Sequence, residues 1–409
     1  MRALGLLGVG ALAFVDPVGT VDLVVAILGA ILAFEGLRSL FALVAPQIEE
    51  AAEQAEQALA KAADSRARSP RLRLGLIALV SLGLLATAVS YLRSPASVPA
   101  LRALVPACNG DRALCDRPLD EVVFPGAHNA MASADAPGWM FPNHVHGIPD
   151  QLEAGIRALL IDVYGGTPVE GRVKTDLSSE AARKKFDSAI GREDVDAALR
   201  IRDRLVGEPE GPRALYLCHG FCEIGAQPLV PVLRTVRDFL VENPGEILAI
   251  IIEDYVPPEQ IAGAFEESGL LRLVYRGPAG PTWPTLREMI AKDQRVLVFA
   301  EKNSSGVPWY HQAFEVMQET PYHFEAPEEF SCDPNRGGTD GSLFQINHWI
   351  DTTPTPKPSN AEIVNTRGFL LDRARTCQEE RGKLPNVLAV DFAMTGDVVG
   401  VAAELNGLQ

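Results

Sequence analysis

The sequence predicts an α/β protein built as a TIM-type (β/α)8 barrel, complete or distorted, and preceded by an α-helical transmembrane anchor. Three observations point there. From about residue 108 onward, short apolar β-branched runs alternate with helical patterns, the signature of parallel βα units. These runs end in ionisable or amide residues, as the mouth of a barrel enzyme requires. The first 93 residues, by contrast, hold three apolar segments. A doubly wound open sheet is the alternative, but no glycine-rich dinucleotide loop follows the first strand.

Leu4 to Val15 is apolar and is broken by Asp16-Pro17. Val21 to Val44 is apolar again, with Glu35 and Arg38 near its far end, and Leu74 to Leu92 is a stretch of nineteen residues without a charge. That length crosses a hydrocarbon core of about 30 Å; the first segment is short and reads as a tilted or half-inserted arm of a hairpin. A secretory signal peptide competes for the first fifteen residues, but three successive segments suit an anchor better. The loop from Pro46 to Arg73 carries Lys61, Arg66, Arg68, Arg71 and Arg73 beside an Ala/Glu-rich helix former. By the positive-inside rule it is cytoplasmic, which puts the chain after Arg93 on the extracytoplasmic side. Residues 1–93 thus read as a membrane anchor, 94–107 as a linker and 108–409 as the barrel.

Residues 94–409 hold 29 basic and 45 acidic side chains and so carry the whole formal charge of −16. A surface of that sign repels DNA and RNA, which excludes nucleic acid as a partner. All six cysteines lie in the same part. Their even number suits disulfides in an oxidising compartment, and proximity in sequence suggests Cys108–Cys115, Cys218–Cys222 and Cys332–Cys377. A zinc site is the rival, but the repeated C-x-x-C spacing is missing.

Candidate strands are Val122 to Phe124, Ala158 to Val163, Ala214 to Cys218, Ile247 to Ile252, Arg295 to Ala300, Leu343 to Ile346 and Val387 to Val390, with room for another near Tyr322. Helical patterns fall at Leu229 to Glu242, Pro258 to Gly269, Thr285 to Lys292, Asn360 to Glu380 and Asp397 to Asn406. His128 and Asn129 follow the first strand; Asp162 ends the second, His219 the third, Glu253 and Asp254 the fourth, Glu301 and Lys302 the fifth, and Asp391 the last. One histidine can take a proton while another gives one, since imidazole titrates near neutrality. Carboxylates beside an amide oxygen are donors of the kind a hard cation such as calcium prefers. His144 and His146 read as solvated loop residues, Arg157 as a structural ion-pair partner, Glu301, Asp254 and His348 as supporting or surface groups, and the tryptophans as scattered core or loop aromatics.

The motifs FPGAHNA, GIRALLIDVYGG, LYLCHG and ILAIIIEDY, in that order, resemble the X-region of phosphatidylinositol-specific phospholipase C and its relatives. The run from Leu215 to Val256, with TWPTLREMI, VLVFAEK and RTCQEERGKLPNVLAVDF, is most similar to the secreted, cysteine-containing branch of that superfamily. The resemblance spans about residues 108 to 405. It implies that His128 deprotonates an inositol 2-hydroxyl, which attacks phosphorus, and that His219 protonates the departing diacylglycerol oxygen, leaving a cyclic phosphate. It matches Asn129, Asp162 and Glu253 to three calcium-ligand positions and puts Leu160 at the fourth. It places Lys302 near phosphate-contacting lysines and lets Asp391 orient His128. The expected activity is therefore that of a phosphoric diester hydrolase or lyase, held at the lipid bilayer by its N-terminal helices and acting on a membrane phospholipid or glycolipid. A degenerate headgroup-binding module and a phosphodiesterase for another headgroup are the alternatives.

Overall fold

The computed structural model describes residues 107–207, 211–352 and 355–408. The expected anchor lies outside the described residues, as does the linker up to residue 106. Among the described residues no helix is long and apolar enough to cross a membrane.

The strands are β1 (Phe124–Ala127), β2 (Ala158–Val169), β3 (Arg172–Thr175), β4 (Ala214–Leu217), β5 (Gln227–Pro228), β6 (Leu248–Asp254), β7 (Val296–Ala300), β8 (Tyr310–Gln312), β9 (Met317–Glu319), β10 (Leu343–His348) and β11 (Val387–Val390). Eight of them form one path in the order β8-β7-β6-β2-β1-β11-β10-β9. Every pairing along it is parallel. Read around a circle, this is simple chain order, the arrangement of an α/β barrel. Among the described residues β8 and β9 are not bonded to each other, so the sheet curls without closing.

Arg336 bridges the open side. Its Nη1 donates to Glu301 Oε2 at 2.6 Å, just past β7, while Nε donates to Glu319 Oε1 at 2.5 Å and Nη2 to Oε2 at 3.0 Å at the end of β9. One guanidinium can reach both only because the sheet bends round. The rings of Phe314 and Tyr322 lie under the guanidinium at 4.1 and 4.9 Å.

Successive side chains of a strand point to opposite faces, and the core divides accordingly. Leu159, Ile161, Ile250, Ile252, Val298 and Leu388 pack with helical residues such as Leu233 and Val236, so they face outward. Phe124, Leu160, Ile251, Phe299 and Ala389 form the second cluster, inside the barrel. Two residues beyond members of the inner set come Asp162, Glu253, Glu301 and Asp391: the same face turns from apolar to ionisable at the mouth. Gly126 is part of this face, and a Cβ there would meet Leu388 O and Val387 Cγ1 at 3.1 Å. β1 can lie between its neighbours because that atom is missing.

The helices are α1 (Ile148–Glu153), α2 (Glu180–Ile190), α3 (Arg192–Leu205), α4 (Leu229–Glu242), α5 (Pro258–Ser268), α6 (Leu286–Ala291), α7 (Ala313–Val316), α8 (Pro358–Val364), α9 (Arg367–Arg381) and α10 (Val398–Leu405). α4 buries Leu229, Leu233, Val236 and Leu240, a stripe at helical spacing. The helix expected over Asn360 to Glu380 is two. At the break, Asn365 Nδ2 donates to the carbonyl of Asp391 and Asn365 O accepts from Asp397 N–H. The first contact ties the break to the residue after β11, the second to the residue that caps α10.

The third expected strand also needs correction. β4 is no barrel stave: it pairs antiparallel with β2, from Gly166↔Ala214 to Val163↔Leu217. β2 runs twelve residues and overhangs the barrel, so β4 returns along the overhang toward the mouth. β9 falls close to the place left for another strand near Tyr322, and β8 is the stave that was not expected; each has three residues, too short to show alternation. The cysteines pair as Cys108–Cys115, Cys218–Cys222 and Cys332–Cys377.

Replacing Arg336 by Met leaves Glu301 and the fully buried Glu319 facing each other without their cation. Removing one partner of a buried pair costs about 3–5 kcal/mol, and the lower end is expected here because the Arg336 side chain is 34% exposed. Urea unfolding should register that loss, and Glu301→Gln/Glu319→Gln in the same background should recover part of it.

Candidate functional site

A cavity of about 1120 Å³ opens where the parallel strands end. His128, Asn129, Asp162, His219, Glu253, Lys302 and Asp391 all line it, and Leu160 contributes to its floor. The structure thus brings together every candidate residue named from the sequence.

His128 stands one residue beyond β1. Its Nδ1 lies 2.9 Å from Asp391 Oδ1, and the same oxygen accepts from Asn143 Nδ2 at 2.9 Å. With the proton of Nδ1 directed at Asp391, Nε2 carries the lone pair, and Asn129 Nδ2 lies 3.1 Å from it. Trp349 stacks flat on the ring, centroids 3.7 Å apart and planes 5° from parallel. Burial pulls the imidazole pKa down, but the charge and hydrogen bond of Asp391, with Asp162 and Asp351 beyond, outweigh it and leave it raised. His128 is therefore a base strengthened by a carboxylate, with its second nitrogen toward the cavity.

Beside β1 the wall continues into β2 and β6, whose register pairs Asp162 with Glu253. Glu253 Oε1 accepts from the Tyr255 hydroxyl and from Lys302 Nζ at 3.1 Å. The ammonium lies 4.6 Å above the Tyr255 ring. Below it Asp254 accepts from the backbone N–H groups of Lys302 and Asn303 at 2.9 and 3.0 Å, and burial pushes its pKa up to about 6. Asp254 is a positioning group that holds the backbone of Lys302. His219 arrives by the overhang: β4 ends at Leu217, Cys218 N–H meets Asp162 O at 3.4 Å, and the next residue is an exposed histidine at the rim.

The other histidines divide by partner. His144, expected in solvent, is 2% exposed. Its Nε2 meets the carbonyl of His128 at 2.7 Å and its Nδ1 accepts from Ala393 N–H at 3.3 Å. That arrangement fixes the neutral form, and burial lowers the pKa to about 4. His144 holds the backbone of His128. His146 is exposed, near Asp135 and Asp150. His348 is fully buried between the Val364 carbonyl and Arg373, its pKa lowered to about 3 by burial and then by the arginine. Arg157 pairs with Glu246 at 2.6 Å, as expected.

Sequence reasoning missed Asn143, Trp349, Arg336 and the pair His323–Asp351, all at the cavity. Trp349 and Asp351 follow β10, so the rule that staves deliver site residues could have found them. His323 follows β9, the strand expected near Tyr322 without defined bounds. Asn143 and Arg336 sit on loops whose return to the mouth has no local signal.

The donors do not suit a calcium ion as arranged. Calcium takes six to eight oxygens. Here Glu253 already binds an ammonium and a phenol, Asn129 turns its nitrogen to His128, and Leu160 belongs to the interior core.

The PI-PLC X family model matches residues 199–406, which takes in His219, Glu253, Lys302 and Asp391 but not His128 or Asp162. Among curated proteins, a PI-PLC X domain-containing protein of Arabidopsis thaliana is 28% identical over 311 residues, 69% of this chain and 61% of the relative. An uncharacterized secreted protein of Arthroderma benhamiae is 29% identical over 258 residues, 56% and 57%. PI-PLC X domain-containing protein 1 of Arthroderma benhamiae is 23% identical over 320 residues, 74% and 90%. The chain thus spans about three fifths of the length of the first two. Among solved structures, phosphatidylinositol-specific phospholipase C from Listeria monocytogenes gives a TM-score of 0.43 at 16% identity, covering 71% of this chain and 95% of that one. The S. aureus protein gives 0.43 at 12%, covering 72% and 95%. Both are distant likenesses.

Replacing Asp391 by Asn removes the main influence that raises the His128 pKa and leaves burial in place. The imidazole should then titrate at lower pH, which NMR of the ring protons reads directly; an unmoved titration would show that Asp391 does not govern it.

Proposed function

This chain belongs to the PI-PLC X family, and from that premise we propose that it is an extracytoplasmic phosphodiesterase that cleaves a phosphoinositide-like lipid by paired histidine acid/base catalysis. The observation that carries the reading is the cavity itself, where a carboxylate-supported histidine and a second histidine on a separate element line one space with a lysine. Three disulfides, and the name of one relative as a secreted protein, support the compartment.

In this proposal Nε2 of His128 takes the proton of a headgroup hydroxyl next to the phosphodiester. The hydroxyl oxygen attacks phosphorus, the bond to the glycerol oxygen breaks, and His219 gives that oxygen a proton. The product is a cyclic phosphate and a diacylglycerol. The imidazolium formed on His128 is stabilised by Asp391. Lys302 offers positive charge to the phosphoryl oxygens, and Asp162 and Glu253 orient cations and hydroxyls around it.

General acid or base groups typically contribute about 10²–10⁴-fold. His128→Ala and His219→Ala should each lower release of phosphorylated headgroup from phosphatidylinositol vesicles by about that factor. The rate should fall toward acid as His128 is protonated, with a midpoint above that of an ordinary histidine, and chelation with EGTA should leave it unchanged. Full turnover by both variants would refute the proposal. Headgroup binding without turnover by the unmodified chain would make it a binding module instead.

A further inference from the structure

Among the described residues that line the cavity, Lys184, Lys302 and Arg336 carry fixed positive charge. Two of these are engaged. Lys302 Nζ lies 3.1 Å from Glu253 Oε1, and Arg336 pairs with Glu301 at 2.6 Å and Glu319 at 2.5 Å. Lys184 makes neither an ion pair nor a hydrogen bond with any described residue. Five carboxylates share the lining, Asp162 and Asp351 among them. An anionic ligand entering that space is repelled by the acids, and a cation already paired with an acid offsets little of the repulsion.

Lys184 comes from an element that the barrel itself does not need. α2 and α3 belong to the excursion between β3 and β4. They pack through Ala182 and Val195 onto a small cluster with Tyr164, Tyr216 and Tyr255, apart from the two barrel clusters. The start of α2 is fixed to the mouth: Ser179 Oγ accepts from Ala182 N–H at 3.1 Å and donates to the carbonyl of Tyr255 at 2.7 Å, two residues past Glu253. Arg183 ties the helix to α3 through Asp196 at 2.6 Å. Lys184 and Ser188 are one turn apart, and both are exposed and line the cavity. Residues at that spacing share a face, so this face of α2 runs along the opening.

We propose that Lys184 is a substrate-contacting residue whose ammonium binds an anionic oxygen of the phosphodiester. The proposal rests on the reading of the cavity as a phosphodiester site, and it does not need turnover. Lys302 and Arg336 answer first to acids of the cavity. Lys184 is available to the ligand without breaking an ion pair, and α2 holds it over the space the ligand enters.

The test measures binding of glycerophosphoinositol, a soluble phosphodiester, by calorimetry on the full chain carrying His128→Ala, in which the probe stays intact. Adding Lys184→Gln should raise Kd by roughly 10-fold, the size of one hydrogen bond to a charged group. Lys184→Arg keeps the charge and should stay within about threefold. Arg234→Gln removes an equal charge from α4, where Arg234 pairs with Glu267 at 3.3 Å, and should leave Kd unchanged. Added salt should weaken the chain with Lys184 more than the chain with Lys184→Gln, so that the two converge. Lys184 is exposed, so none of these variants is expected to shift Tm by much. An unchanged Kd in Lys184→Gln, or a loss in Lys184→Arg as large as in Lys184→Gln, would overturn the proposal. If neither the His128→Ala chain nor the unmodified one binds the probe, the phosphodiester-site reading falls and the role of Lys184 with it. If the Lys184 effect is present and the unmodified chain cleaves no phosphatidylinositol, the proposal stands and the hydrolytic reading falls.

Discussion

In a parallel sheet the register decides which side chains meet, and this site depends on two registers. β1 and β11 align Ala127 with Val390, so the next residues, His128 and Asp391, stand side by side. β2 and β6 align Asp162 with Glu253. A slip of one residue in either pair would turn the polar group outward and a core residue inward. The apolar interior prevents it, since Leu160, Ile251 and Ala389 fill the space beneath those groups. The packing that stabilises the barrel and the geometry of the cavity are one constraint.

Charge then separates the histidines by task. His128 has a carboxylate on Nδ1 and a raised pKa; His144 and His348 have carbonyls, and burial keeps them neutral to about 4 and about 3. The partner rather than the burial sets the direction of the shift, because all three are withdrawn from water to a large degree. The His144 contact to the His128 carbonyl also shows the neutral histidine steadying the basic one. Around them Lys302 and Arg336 are both engaged by carboxylates, so the cavity arranges its cations through acids that border it.

Much of this was legible in the sequence because a strand writes its residues onto alternate faces. The runs at Ala158, Ile247, Arg295 and Val387 announced themselves by apolar content, and the polar residue after each named the mouth. His219 was found for a partly mistaken reason. β4 is an antiparallel return along β2, and the amphipathic pattern of a short strand carries no direction. β8 and the bounds of β9 were invisible because three residues do not make a period. α2 and α3 escaped because their polar sequences, held by pairs such as Arg183–Asp187 at 2.7 Å, carry little apolar stripe. Arg336 and Asn143 act across the fold from loops, where sequence records no distance.

The central claim is that a base on the headgroup side starts the reaction and the headgroup's own hydroxyl does the attacking. A 31P NMR time course with phosphatidylinositol tests this most directly. The account predicts that a cyclic phosphate appears first and accumulates before any phosphomonoester. A phosphomonoester formed from the outset, with no cyclic species ahead of it, would mean that water rather than the hydroxyl attacks phosphorus and would contradict the role given to His128.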